Sequence, residues 1–285
     1  HWLPPAKSLW SQLLGQHQSR QLGRGMDFSE VRQYQPGDDI RSIDWRVTAR
    51  TGKPHTKLFS EEREKPVVLY IDLSPSMLFG SRLMLKSVVM CHMASLIAWL
   101  SVAQNDRIGA LINCGHKLIE LKPTARDKGV LALLQQLITE HKRLLNQQDT
   151  SNSAKFGDSI EHSLSALVRM CPKGSKIILL SDFAQLTSEH KPLLNRISQH
   201  NRVRLVQISD PLERGITQYR GTEHVTDKRQ SRWLDFSSKK TRRGLEKAHQ
   251  KQQQQIKQLA QNLGIGFATL SSDTALTTQL HGIKQ

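Results

Sequence analysis

Asp72, Ser74 and Ser76 occupy alternate positions in Asp72-Leu73-Ser74-Pro75-Ser76. An extended or gently turning chain therefore points one carboxylate and two hydroxyls to the same side. All three are hard oxygen donors, a set suited to Mg²⁺ or Mn²⁺ and not to a thiophilic metal. The same residues have a plainer use, in which Ser74 or Ser76 caps a helix beginning just beyond them. A second carboxylate, Asp182, follows the apolar run 176–180 in the way that Asp72 follows 67–71. Two aspartates at matching places past apolar strands strengthen the metal reading; the alternative for Asp182 is an N-cap or an Asx turn. Asp72 is expected to be exposed at its strand end and to contribute little to packing.

The elements that must hold these residues follow from the apolar pattern. Val67-Val68-Leu69-Tyr70-Ile71 is short, nearly continuous and rich in β-branched residues, which is how a strand buried on both faces of a parallel sheet reads. Open sheets of that kind collect ligands at the carboxyl ends of their strands. Downstream the chain alternates. A helix over 82–104 is capped by Ser81, strands cover 107–114 and 116–121 (the second an antiparallel edge), and Thr124 opens the next helix. An amphipathic helix starts at Ile160, a strand spans 176–180, Ser188 caps a helix over 189–200, and a strand follows at 202–209. A hairpin-like insertion around 211–240, with Gly221 between its strands, precedes a basic helix start at Lys239-Lys240-Thr241-Arg242-Arg243, a last strand over 265–270 and a closing helix. The fold class is α/β, an open and mostly parallel sheet with helices on both faces. Residues 1–65 form a small extended or β arm ahead of it, and residues 66–285 the main domain.

Within the arm, Asp38, Asp39, Arg41, Asp44 and Trp45 sit in a box where charges interleave with Tyr34 and Ile43. Pro36-Gly37 marks a tight turn, and the alternation over 40–45 suggests extended pieces. Two uses are open for the box: an internal network of arginine–carboxylate pairs, or a surface that docks a partner protein. Gly23-Arg24-Gly25 is a weak phosphate-cradling motif without a strand before it and a helix after it.

Two resemblances follow from these residues. Asp-x-Ser-x-Ser after an apolar strand resembles the metal-ion-dependent adhesion site of von Willebrand factor A domains. That resemblance implies hydroxyls bound directly to Mg²⁺ or Mn²⁺, Asp72 and Asp182 acting through water, and a partner's carboxylate in the open position. Asp158, beside Ser159, stands where that family contributes a third hydroxyl, a substitution that preserves metal binding and disfavours an acidic ligand. Gly23-Arg24-Gly25, the box from Tyr34 through Pro36-Gly37-Asp38-Asp39 to Asp44-Trp45, and Glu61-Glu62-Arg63 ahead of the Asp72 strand resemble the bacterial domain-of-unknown-function family 58. The likeness runs from about Leu22 to Ile283. It implies a von Willebrand factor A-like fold, no attached enzymatic activity, and a MoxR-type AAA+ ATPase as partner or co-worker.

Composition narrows the setting. With 41 Lys+Arg against 25 Asp+Glu the net charge is +16, so nucleic acid, an anionic membrane or an acidic protein surface are the partners that charge favours. Three widely spaced cysteines in apolar segments argue against a disulfide framework or a zinc site and suit a reducing cytosol. The one long apolar stretch, Leu83–Ala103, is interrupted by Lys86, Ser87, His92, Ser95 and Ser101, so it reads as a buried core helix and no membrane span is expected. His1-Trp2-Leu3-Pro4-Pro5 lacks the basic start and apolar core of a signal peptide, and without an initiator Met further residues are expected upstream. The leading functional reading is a cytoplasmic, non-enzymatic interaction module whose metal face binds an acidic protein client. A second is nucleic-acid binding by Lys239–Arg243 and the arginines of 20–50. A third is Mg²⁺-dependent phosphoryl transfer with Asp72 as nucleophile, against which Ser74 occupies the place where a second carboxylate would serve as acid and base.

Overall fold

The computed structural model describes residues 26–61, 65–147, 160–226 and 231–281. The chain divides into two compact units, residues 16–64 and the remainder. In the smaller unit, β1 (Met26–Gln33) pairs antiparallel with β2 (His55–Glu61), and α1 (Trp45–Thr51) lies between them in sequence. The extended pieces expected over 40–45 are instead a 3₁₀ turn, Ile40–Ser42, followed by α1. Capping decides this. Asp39 accepts from the Arg41 amide at 2.9 Å, and Asp44 accepts from the Arg46 and Val47 amides at 3.0 and 3.2 Å, so each carboxylate satisfies donors that a helix start leaves without partners.

The larger unit is an α/β layer structure, an open and mostly parallel sheet with helices on both faces. Its six-stranded sheet consists of β3 (Pro66–Asp72), β4 (Arg107–Asn113), β5 (Leu118–Thr124), β6 (Lys176–Ser181), β7 (Arg202–Ser209) and β10 (Gly266–Ser271). The spatial order is β10-β7-β6-β3-β4-β5, all parallel except the edge strand β5. All seven residues of β3 are buried, and they alternate between two cores. Val67, Leu69 and Ile71 pack with α2 (Lys86–Ala103), α3 (Arg126–Gln147) and the closing helix α7 (Leu276–His281). Val68 and Tyr70 pack with α4 (Ile160–Met170), α5 (Lys191–Ser198) and α6 (Lys239–Asn262) on the other face. Each fully buried aliphatic side chain contributes roughly 1.5–3 kcal/mol, which makes β3 the anchor of both layers. The insertion is a hairpin of β8 (Thr222–Thr226) and β9 (Ser231–Asp235); Gly221 precedes it instead of separating its strands.

Three expected caps are displaced. Ser81 does not cap α2, which starts at Lys86 with Leu85 at its N-cap and no side-chain bond there. Thr124 ends β5, and its hydroxyl donates to the Lys122 carbonyl. Thr187, not Ser188, caps the turn ahead of α5, in a reciprocal pair with His190, while Pro192 falls in the first turn as its missing N–H allows. By length and hydropathy α2 could cross a membrane, yet 56% of it is buried, and it packs against the sheet and α3.

Candidate functional site at the carboxyl ends of the central strands

Parallel register brings the carboxyl ends of β3, β4, β6 and β7 to one edge. Ile71 pairs with Leu180 and Asp72 with Asn113, so Asp72 emerges beside Ser181 and the Asp182 turn. Contrary to expectation, Asp72 is not exposed: 7% of it is accessible. Its Oδ1 accepts from the Ser74 amide at 2.9 Å and its Oδ2 from the Ser181 hydroxyl at 2.6 Å. The first contact is an Asx turn that bends the chain so that Ser74 and Ser76 face together, their hydroxyl oxygens 3.2 Å apart. Ser74 is half-buried and Ser76 exposed, which places two accessible hydroxyls over a buried carboxylate.

Asp182 is buried as well, and its Oδ1 accepts from the Ala184 amide at 2.9 Å. The turn is held by Phe183, whose φ of 55° is left-handed, a costly conformation for a bulky residue. Burial of the Phe183 ring, and donation from its amide to Ser181 Oγ at 2.9 Å, offset that strain. A bulky residue held in this conformation at the rim of a polar cluster is the kind of outlier that points to function.

Sequence reasoning missed the cation. Lys86, 1% exposed, donates from Nζ to Asp182 Oδ2 at 2.9 Å and to Glu213 Oε1 at 2.5 Å. The available signal was a lone lysine in the first turn of an apolar helix, since lysine is almost never fully buried without partners. Burial alone would lower the Lys86 ammonium, but Asp182 and Glu213 outweigh it and raise its pKa. Burial likewise pushes Asp182 up, and Lys86, the Ala184 amide and the Ser76 hydroxyl more than offset this and hold it below the usual carboxylate value. Asp72 has no such cation. Burial first, then the Asp182 charge, pushes its pKa to about 6, against the lowering effect of Ser181 and Ser74.

Asp210 was also missed as part of this edge. Wholly buried, it accepts from the Ser81 amide at 2.8 Å and the Ser81 hydroxyl, from Ser272 Oγ at 2.5 Å and from the Leu212 amide at 2.9 Å. Ser81 is thus spent on tying the loop before α2 to the loop after β7, which is why it caps nothing. From the far side, α6 brings Gln252 Nε2 to 3.5 Å from the Asp182 carbonyl.

By residue type the edge fits a hard divalent cation. Among the described residues no three His, Cys, Asp or Glu side chains form a metal-holding group, so the donors would be two carboxylates and two hydroxyls. Lys86 is shared between Asp182 and Glu213, so three carboxylates stand against one ammonium and Asp72 is the one that no cation touches. The raised pKa of Asp72 reflects an ionised form short of positive charge, which a cation would supply. Asp158 and Ser159, expected near this edge, and Gly23-Arg24-Gly25 lie outside the described residues. In the arm, Asp38 accepts from Arg32 at 2.7 Å and from the Gln35 amide at 2.9 Å, Asp39 and Asp44 serve as caps, and Arg41 and Trp45 are exposed, Trp45 by 69%.

Similarity to other proteins bears on the family. Uncharacterized proteins of Mycobacterium tuberculosis and Mycobacterium bovis are each 29% identical over 199 residues, which is 70% of this chain and 60% of theirs, so the chain spans less than two thirds of the length of these relatives. Among solved structures, the VWA domain of SpRpn10 aligns with a TM-score of 0.41 at 7% identity, covering 77% of this chain and 94% of that domain. Residues 30–255 match the family described as "Protein of unknown function DUF58", a span that includes the charged box of the arm, the Asp72 loop and the Asp182 turn, and the chain belongs to that family.

Proposed function

We propose that the chain is a non-enzymatic protein-interaction module that works through the carboxyl edge of its sheet. The observation that carries this reading is the convergence of Asp72, Ser74, Ser76 and Asp182 from two neighbouring strands, with the carboxylates buried and the hydroxyls accessible above them. In this reading Asp72, Ser74, Ser76 and Asp182 hold Mg²⁺ or Mn²⁺, which when bound supplies an open position for a carboxylate of a protein partner. The chain's own part is positioning: Ser181 and the Asx turn aim Asp72, and Lys86 holds Asp182 ionised. A MoxR-type AAA+ ATPase is the partner or co-worker that the family resemblance brings to this proposal, and a cytoplasmic setting is supported by Cys91, Cys114 and Cys171, all free, with thiols pushed by burial to about 12. Calorimetric titration with Mg²⁺ tests the site: wild type is expected to bind and Asp72→Ala not to. Equal binding by both would remove the metal. A second measurement, capture of an immobilised, nucleotide-free MoxR-type ATPase in Mg²⁺ and in EDTA, tests the partner.

One observation favours a second reading. Lys240, Arg243, Lys247 and Lys251 are exposed on α6 at spacings of three, four and four, so they form a single cationic stripe. Nucleic acid held by that stripe would be bound through phosphates without sequence preference and would dissociate steeply with salt.

A further inference from the structure

Ten large apolar side chains stand exposed among the described residues, and four of them, Phe79, Leu83, Ile216 and Tyr219, fall in just two loops. These are the loop between the Ser76 turn and α2, and the loop after β7. The two loops face each other across an open groove of about 410 Å³ lined by Ser81, Arg82, Thr217, Gln218 and Tyr219, within the size range of binding pockets. Of the four only Tyr219 lines the groove, and Phe79, Leu83 and Ile216 belong to the two loops that bear its lining; exposed apolar residues gathered in the loops beside a concavity mark an interaction site.

The groove is built, not incidental. Ser81, in its lining, is held from behind by the buried Asp210, and the loop after β7 is tied to α2 by Glu213 with Lys86. One wall is fixed by Gly80, where an added Cβ would lie 2.3 Å from the Met84 carbonyl oxygen, and by the Lys86 amide bonded to the Phe79 carbonyl at 2.8 Å. The opposite wall is fixed by Gly215, at φ 72° and with room for no Cβ against the Arg242 backbone. Tyr219 stands 46% exposed yet held: its ring meets the buried Phe236 edge-on at 6.1 Å, and its hydroxyl donates to Glu223 at 2.6 Å. An aromatic side chain fixed in advance loses little entropy on binding.

Charge selects the occupant. Arg82 is exposed, with no ion pair among the described residues, and no carboxylate lines the groove. Arg220 turns its guanidinium back onto the Thr217 and Tyr219 carbonyls, both at 3.0 Å, and stiffens the loop with a further positive charge. Phe79 follows Ser76 by three residues, so the groove begins within about 10 Å of the Ser74–Ser76 edge, the span of three extended residues.

We infer that this groove is the second half of the docking surface: it takes a large apolar side chain from an extended acidic segment of the partner, three or four residues from a carboxylate that reaches the Asp72 edge. The inference deepens the proposed function and rests on it for the position of the carboxylate alone. The test uses the full 285-residue chain on arrays of short peptides in three matched sets: acidic with a large apolar residue, acidic with small residues only, and basic with a large apolar residue. Wild type is expected to retain the first set about tenfold more strongly than either other, a difference readily resolved. Tyr219→Ser should erase the preference for apolar residues, and Arg82→Glu should shift retention toward the basic set, a reversal that misfolding cannot produce. Equal retention of all sets, or an unchanged pattern in both variants, overturns the inference. Repeating the arrays in Mg²⁺ and in EDTA with Asp72→Ala separates the two ideas. Loss of the Mg²⁺ increment with the apolar preference intact removes the metal and leaves the groove, and Mg²⁺-dependent retention without apolar preference does the reverse.

Discussion

Replacing Asp72 by Asn should stabilise the protein while destroying its divalent-ion response. At Asp72 the carboxyl pKa rises from 3.8 to about 6, because burial and then the Asp182 charge oppose its ionised form. A shift of about two units corresponds to roughly 3 kcal/mol of instability carried at neutral pH. Asn removes the charge and keeps an acceptor for the Ser74 amide, but it takes from the Ser181 hydroxyl its acceptor, a loss of about 1 kcal/mol. The net expectation is a gain of about 2 kcal/mol at pH 7.5, a stability traded away for a functional carboxylate. The pH dependence has a definite sign. Between about 3.8 and 6 the folded chain holds the Asp72 proton more tightly than the unfolded chain does, so wild-type stability from this group falls as pH rises through that window, and the loss is complete above it. The advantage of the Asn variant should therefore be small near pH 4 and full above pH 6.5. Urea unfolding in EDTA at both pH values measures it, and thermal shifts with added Mg²⁺ measure the lost response. A variant destabilised equally at both pH values would refute the reasoning, because it would mean that hydrogen bonding to Asp72 outweighs its buried charge.

Lys86→Met should destabilise by about 3–5 kcal/mol at pH 7 by leaving Asp182 buried without its cation, and the cost should shrink as pH falls and Asp182, freed from the lowering effect of Lys86 and raised by burial, takes up a proton; urea unfolding at neutral and at acidic pH checks both parts. Gly80→Ala should cost about 1–3 kcal/mol, since its Cβ meets the Met84 carbonyl, with a matching fall in the urea midpoint and in the apolar preference of the groove. Adding Mg²⁺ in excess over its dissociation constant should raise the melting temperature of wild type and not of Asp72→Ala, and EDTA should reverse the rise.

Much of the scaffold was legible in the chain because its signals are local. The buried-strand pattern of 67–71, repeated at 176–180, needs only apolar residues in a row, and a strand placed in a parallel sheet must end with its next polar residue at the ligand edge; Asp72 and Asp182 could be located on that basis. Helix starts were less legible, since several Ser, Thr and Asp side chains compete for each start and position alone does not rank them. Asp39 and Asp44 took the caps in the smaller unit, while Ser81 was drawn away by Asp210, 129 residues further along. The electrostatics of the edge were not legible at all. Lys86 meets Asp182 and Glu213 across 96 and 127 residues, and only the packing of α2 against the β6 and β7 ends makes that ammonium the counter-charge of one aspartate and not the other. Residue type determined which groups could bind a hard cation or a carboxylate. Which carboxylate is neutralised from within, which is left short of positive charge, and where a groove opens beside them were decided by the tertiary structure, because charge interactions depend on distance and burial, and chain order encodes neither.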